Sequence, residues 1–375
     1  MAGINLSDNI AAKGRNLHLQ TSLANEDELV LTELFDGGRL LVTEKRSVPQ
    51  GLSGGELEEY VESLHMGVLQ EIELLYDISL KIKTVKHAKS LCSLGARFLH
   101  WRLLDEAVSE LELSLNYDES NGRAYKYLAE AYTARGAMEE AVEVLKRGVS
   151  AFPEYPDLWL CLGRALSRHG DPVAALNAFR KARDINSGYD EAYFHIAKIL
   201  AETGMMEELP KGVKDRKTCF RLARENLTRA SAASNRFKTV ETEEIMRLFH
   251  QNQWEQGSAR MQEVIDTLEP VIDLEFDNAF YLSLLYGEKG RNFEAVQAYV
   301  ETMEHLVHKH PDFPDIHNKL GIAYLIECRN LFTRALHHFK KAGDLNPDYE
   351  ESLRNLKLAK NDGKGLLLLL RAMLK

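Results

Sequence analysis

Four cysteines in 375 residues, at positions 92, 161, 219 and 328, share no paired spacing. That excludes a disulfide framework or a C-x-x-C zinc site and fits free thiols in a reducing compartment. The chain also lacks any block of Lys or Arg. Its 47 basic and 57 acidic residues leave a net charge of −10. Nucleic acid and anionic membrane both demand a basic footprint, so neither is expected as the main partner. No stretch approaches the roughly 18 apolar residues of a spanning helix. The opening MAGINLSDNIAAKGRNLHLQ has neither the basic segment nor the apolar run of a secretory signal. The expectation is a cytoplasmic protein without stable membrane insertion.

Catalytic signatures are missing as well. No G-x-x-x-x-G-K-[ST] loop and no H-E-x-x-H motif occurs. Leu52-Ser53-Gly54-Gly55-Glu56 resembles the signature loop of transporter-type ATPases, but without a phosphate-binding loop it reads as a helix start. His305 and His308 lie three apart near Glu301 and Glu304, a spacing that permits a surface metal site on a helix. Solvated helix faces carry the same pattern far more often. Neither catalysis, a cofactor nor a metal is expected.

What is present is a repeat. Leu94-Gly95, Leu128-Ala129 and Leu162-Gly163 recur every 34 residues, as do Ala107, Ala141 and Ala175. Leu111, Leu145 and Phe179 keep the same step. Small residues let two helices cross closely, and large ones fill the space between them. No such unit can bury its apolar face alone, so units stack. The pattern over 88–189, clearest in WLCLGRALSRHGDPVAALNAFRKA, resembles the tetratricopeptide repeat family, which implies a right-handed α-solenoid of helix pairs over 81–360. A fourth unit opens with Tyr193, Ile196 and Ala197, and an insertion over about 204–217 delays its second helix. Residues 237–270 read as degenerate helices. The pattern returns with Leu282, Tyr286, Gly290 and Ala295, then with Leu320-Gly321, Tyr324, Ala335 and Pro347. Helix 350–360 reads as a polar cap.

Residues 1–16 are expected to be disordered and 17–80 to form a small module. LVLTELFDGGRLLVTEKR, residues 29–46, predicts a β-hairpin turning at Asp36-Gly37-Gly38. Ser53 and Glu56 are placed as a capping box. Leu57, Val61, Leu64, Val68, Ile72 and Leu75 then form one helical stripe. One helix covers one hairpin face. The face bearing Val30, Leu34 and Leu41 is left open and assigned to self-association. This leader resembles that of some bacterial tetratricopeptide proteins. The terminal GKGLLLLLRAMLK, within 361–375, reads as an apolar helix for packing, for a partner or for shallow membrane contact. A homodimer through the module or this helix follows as an expectation.

The family resemblance also implies a binding groove lined by the first helix of each unit. Its positions fall on Lys89, Cys92, Ala96 and His100, on Arg123, Lys126 and Glu130, on Asp157, Leu160, Arg164 and Arg168, and on Glu191, Phe194, Lys198 and Glu202. Across units two to four, five Lys or Arg interleaved with Leu160 and Phe194 suit an extended acidic peptide with apolar anchors. The family's carboxylate clamp needs a Lys and an Asn where Cys92 and Ala96 stand, so that ligand is not expected. The functional expectation is a non-enzymatic scaffold or adaptor. The alternative is a regulatory sensor whose solenoid binds a small signal peptide or ligand.

Overall fold

The computed structural model describes residues 4–12, 14–24, 29–267, 282, 293–309, 311, 314–345, 350–351, 353–360 and 365. They fall into two units, with the boundary between Val271 and Ile272.

The first unit opens with four antiparallel strands paired in chain order, β1 (Asn5–Ala12), β2 (Arg15–Ala24), β3 (Leu29–Asp36) and β4 (Arg39–Ser47). The expected hairpin is the second half of this sheet. Gly37 and Gly38 form its tip with φ of 56° and 83°, the left-handed pair that a two-residue turn between twisted strands requires. Within the stretch expected to be disordered, Asn5–Ala12 form a paired strand: Asp8 pairs with Leu19 and Ile10 with Leu17. The alternation of β1 is hidden because Asp8, more than half exposed, stands between Leu6 and Ile10 on the same side of the strand. His65, buried on the covering helix, meets it with Nε2 3.0 Å from Asp8 Oδ2 and Nδ1 2.9 Å from Thr21 Oγ1.

That helix, α1 (Gly55–Val85), buries Leu57, Val61, Val68, Ile72 and Leu75 as its stripe predicts. The capping box does not form. Gly54 caps the helix with φ 56° and no side chain accepts from the first turn. The hairpin faces are also reversed from expectation. Val30 and Leu34 are 1% and 0% exposed, and Val30 packs in one cluster with Leu57 and Val61. Residues taken by the chain's own core cannot form a self-association surface. Leu41 is half-buried, as are Leu29, Leu31 and Phe35, while Leu40 is 47% exposed. Alternation separates two faces but does not say which one a helix will cover.

Helix pairs follow: α2 (Ala88–His100) with α3 (Leu104–Tyr117), α4 (Gly122–Arg135) with α5 (Met138–Ala151), α6 (Pro156–Arg168) with α7 (Pro172–Ile185), and α8 (Asp190–Met205) with α9 (Arg216–Ala233). Asn121, Asp171 and Asp215 cap three of them by accepting from Ala124, Ala174 and Thr218 amides. Close crossing explains the small residues. A Cβ on Gly95 would sit 2.5 Å from Leu111 Cγ, and one on Gly163 2.4 Å from Phe179 Cε1. In α8 the crossing moves from Ala197 to Gly204, whose Cβ would lie 2.6 Å from Phe220 Cε1. Seven residues are about two helical turns. The expected insertion is therefore absorbed partly as a longer helix and partly as the loop 206–215.

Ion pairs fasten the sheet and α1 to the first helix pair. Arg15 reaches Asp36 at 2.6 Å and Glu106 at 2.7 Å, Arg97 reaches Glu71, and His100 Nε2 lies 2.6 Å from Glu44. Tyr76 and Ser79 donate to Glu106 and Glu110.

The degenerate stretch is a fifth pair, α10 (Val240–His250) and α11 (Trp254–Thr267), entered through a single 3₁₀ turn at Asn235–Phe237. Its contact runs backwards. The close-approach glycine, Gly257, is on the second helix, and its aromatic partner Phe249 is on the first. Helix α11, not α10, then packs on α8, where Ser258 donates to Glu202 at 3.2 Å.

The second unit contains α12 (Phe293–Lys309) and α13 (Pro314–Leu345). Tyr299, Val300, Met303 and Ala323 form its largest described cluster, with Leu306 and Leu320 against it. The sequence predicts a break between Tyr324 and Ala335, yet α13 runs through. Residues 325–336, LIECRNLFTRAL, hold neither Gly nor Pro to stop it. Tyr286, Gly290, Pro347 and, apart from Gly365, the apolar segment 361–375 lie outside the described residues.

Candidate partner-binding face

The first helices α2, α4, α6 and α8 carry the residues assigned to the groove, and the structure separates them into three zones. In α2, Cys92 and Ala96 are buried, and His100 is engaged by Glu44 of β4. That end of the groove is taken up by the chain itself.

The middle zone, α4 and α6, stays open. Arg123 and Arg168 are exposed, while Lys126 and Arg164 are half-buried. Leu160 is buried and belongs to the floor rather than to an open anchor. Burial works against the charge of Lys126, but the groups facing it (Cys161, Glu130 and Asp157) hold its pKa above the usual lysine value. No carboxylate lies within 4.0 Å of Lys126 or Arg168 among the described residues. Asp157 accepts from Tyr189 at 2.6 Å. The Cys161 thiol is pushed up to about 11 by burial and is unreactive at neutral pH.

The far zone, α8, is closed. Phe194 is 0% exposed because Phe237 stacks on it at 4.6 Å between ring centroids. Arg236 reaches Glu191 at 3.4 Å, and Lys198 pairs with Glu202 at 2.5 Å. Burial raises the pKa of Glu191, but His195, Arg236 and Arg164 outweigh it and bring the carboxyl to about 2. Burial lowers the pKa of His195, so that ring is neutral at pH 7. Phe194 and Lys198, assigned to an open groove, are instead covered or paired. The sequence signal for this was Gly257 eight residues after Phe249, the repeat's glycine and aromatic in reversed order.

Among the described residues no three His, Cys, Asp or Glu side chains cluster as metal ligands would, and no helix is long and apolar enough to cross a membrane.

Paired helices held by this small-to-large register form an α-solenoid, and such stacks create extended concave binding surfaces. A family model described as tetratricopeptide repeat matches residues 122–165, which are α4, α5 and most of α6. Over that span the chain is similar to a tetratricopeptide repeat. No curated protein matches it. Among solved structures it is similar to MamA, with 18% identity, 46% of this chain and 94% of that one covered, and a TM-score of 0.38. It is also similar to YrrB, described as a tetratricopeptide protein with an unusual peptide-binding site, at 17% identity, 59% and 96% coverage, and 0.36. A third is PilF of Pseudomonas aeruginosa, at 11% identity, 62% and 96% coverage, and 0.37. At such identities a likeness reaches no further than the fold.

Proposed function

We propose that this chain is a non-enzymatic, cytoplasmic interaction scaffold that holds an acidic peptide segment of a partner protein against α4 and α6. The observation that carries the reading is the pair of cations Lys126, half-buried, and Arg168, exposed, each without a carboxylate within 4.0 Å among the described residues, on a face bounded at both ends by the chain itself. Arg123 and Arg164 extend the same face. An arginine fork pairs a carboxylate through two parallel hydrogen bonds, and a lysine supplies a point charge beside it. With Phe194 covered, apolar anchoring contributes less than the sequence alone implies, and charge contributes more. Affinity should then fall as salt rises.

The test is affinity capture by the full chain and by the double variant Arg123→Glu with Lys126→Glu. Arg123 is exposed and Lys126 half-buried, and circular dichroism checks that the helices persist in the variant. The expected result is a recovered protein that disappears with the double variant and weakens between low and physiological salt. Equal recovery by both chains would overturn the reading.

A further inference from the structure

The closed end of the groove is not filled. Between α6, α8 and α11 lies a niche of about 50 Å³, lined by Arg164, Ser167, Arg168, His195, Lys198 and Gln262. A water needs roughly 10–15 Å³ measured this way, so the niche admits about three to five water-sized groups. That is the size of a carboxylate with its first carbons.

One group there has no partner. His195 is 6% exposed and stacks flat on Phe179, with ring centroids 5.0 Å apart. Its Nε2 makes no hydrogen bond, and the nearest carboxylate oxygen, on Glu191, stays 3.9 Å away. A buried polar atom left this way keeps its desolvation cost, which an incoming acceptor would recover.

The charges around it point to an anion. Of the three cations lining the niche, Lys198 is neutralised by Glu202 at 2.5 Å, and Arg164 stands 3.9 Å from Glu191. Arg168 has no carboxylate within 4.0 Å among the described residues. Glu202 inside the niche and Glu191 behind it keep the positive surplus small. That suits a singly charged planar carboxylate and opposes a doubly charged phosphate.

We infer that the niche receives a side-chain carboxylate of the groove-bound peptide, with Arg168 pairing it and His195 Nε2–H and the Gln262 amide donating to it. This rests on the groove reading and fixes where along the groove one acidic residue must sit. The peptide would cross α4 and α6 and place that residue against the wall made by α11.

The experiment titrates the full chain with the α-amide of N-acetylglutamic acid, which carries only a side-chain carboxylate, and separately with inorganic phosphate, both at constant ionic strength. The readout is the imidazole nitrogen resonance of His195, assigned by its absence in His195→Gln. A saturable shift with the glutamic derivative is expected, weakened at least tenfold in Arg168→Ala, an exposed site whose loss leaves the fold intact. A response to phosphate alone, no saturable response, or an undiminished one in Arg168→Ala would each overturn the inference. Failure here with capture still sensitive to Arg123 and Lys126 removes only the niche. Loss of that sensitivity removes the groove reading itself.

Discussion

Single residues in this chain carry consequences out of proportion to their size. Gly163 and Gly67 are both helical glycines, yet they should respond oppositely to alanine. A Cβ at Gly163 meets the buried Phe179 ring at 2.4 Å, so the ring or the helix crossing must shift to admit it. Gly163→Ala should destabilise the first unit by about 1–3 kcal/mol. At Gly67 nothing lies within 4 Å, so Gly67→Ala should stabilise by about 0.5–1 kcal/mol through lower chain entropy. Denaturant midpoints of the two variants check this, and shifts of the same sign would contradict it. Glu191 gives a pH prediction. Its folded pKa of about 2 lies below the ordinary carboxylate value of 4.5. A depressed pKa contributes stability above the unfolded value and loses it as pH falls toward the folded one. Glu191→Gln should therefore lower stability at pH 7 by on the order of 1–3 kcal/mol. It should also flatten the loss of stability between about pH 4.5 and pH 2. A parallel acid limb in wild type and variant would refute the assignment.

Among the elements, the fifth pair departs furthest from the repeat. Its reversed glycine and aromatic set α11 on the groove face of α8, and Phe237 plugs the position where Phe194 would otherwise stand open. Phe237→Ala should cost about 3–5 kcal/mol at that junction. Repeat arrays transmit such losses mainly to neighbours. Amide exchange should accelerate in α8 and α11 and stay unchanged in α2–α5, and uniform acceleration would contradict the local account. The N-terminal elements show why sequence reading stopped where it did. The hairpin and the α1 stripe were legible because turn glycines and a 3.6-residue period leave direct marks. Strand β1 was not, since Asp8 breaks its alternation and the side chain it meets, His65, lies 57 residues away. The choice of covered face was equally out of reach. Both hairpin faces are apolar enough to be buried, and tertiary contact alone decided for Val30 and Leu34.

At the scale of the molecule, the 34-residue period made the solenoid readable, and each helix pair from α2 to α7 falls where that period sets it. The groove was only half readable. Position along a first helix says which side chains face the concave side, but not whether the chain later returns to cover them. Lys126 and Arg168 keep no carboxylate within 4.0 Å among the described residues, whereas Arg164 stands 3.9 Å from Glu191 and Phe194 and Lys198 are claimed from within. The second unit diverges for a different reason: without a glycine or proline after Tyr324, α13 continues where the repeat would turn. The central claim is that a partner lies on α4 and α6. The most direct measurement places a photocrosslinking benzoylphenylalanine at Lys126 on α4 and, separately, at Lys146 on the exposed side of α5, in cells that make the full chain. The account predicts a discrete protein adduct from position 126 that is absent from position 146. Adducts of equal yield from both positions, or from 146 alone, would contradict it.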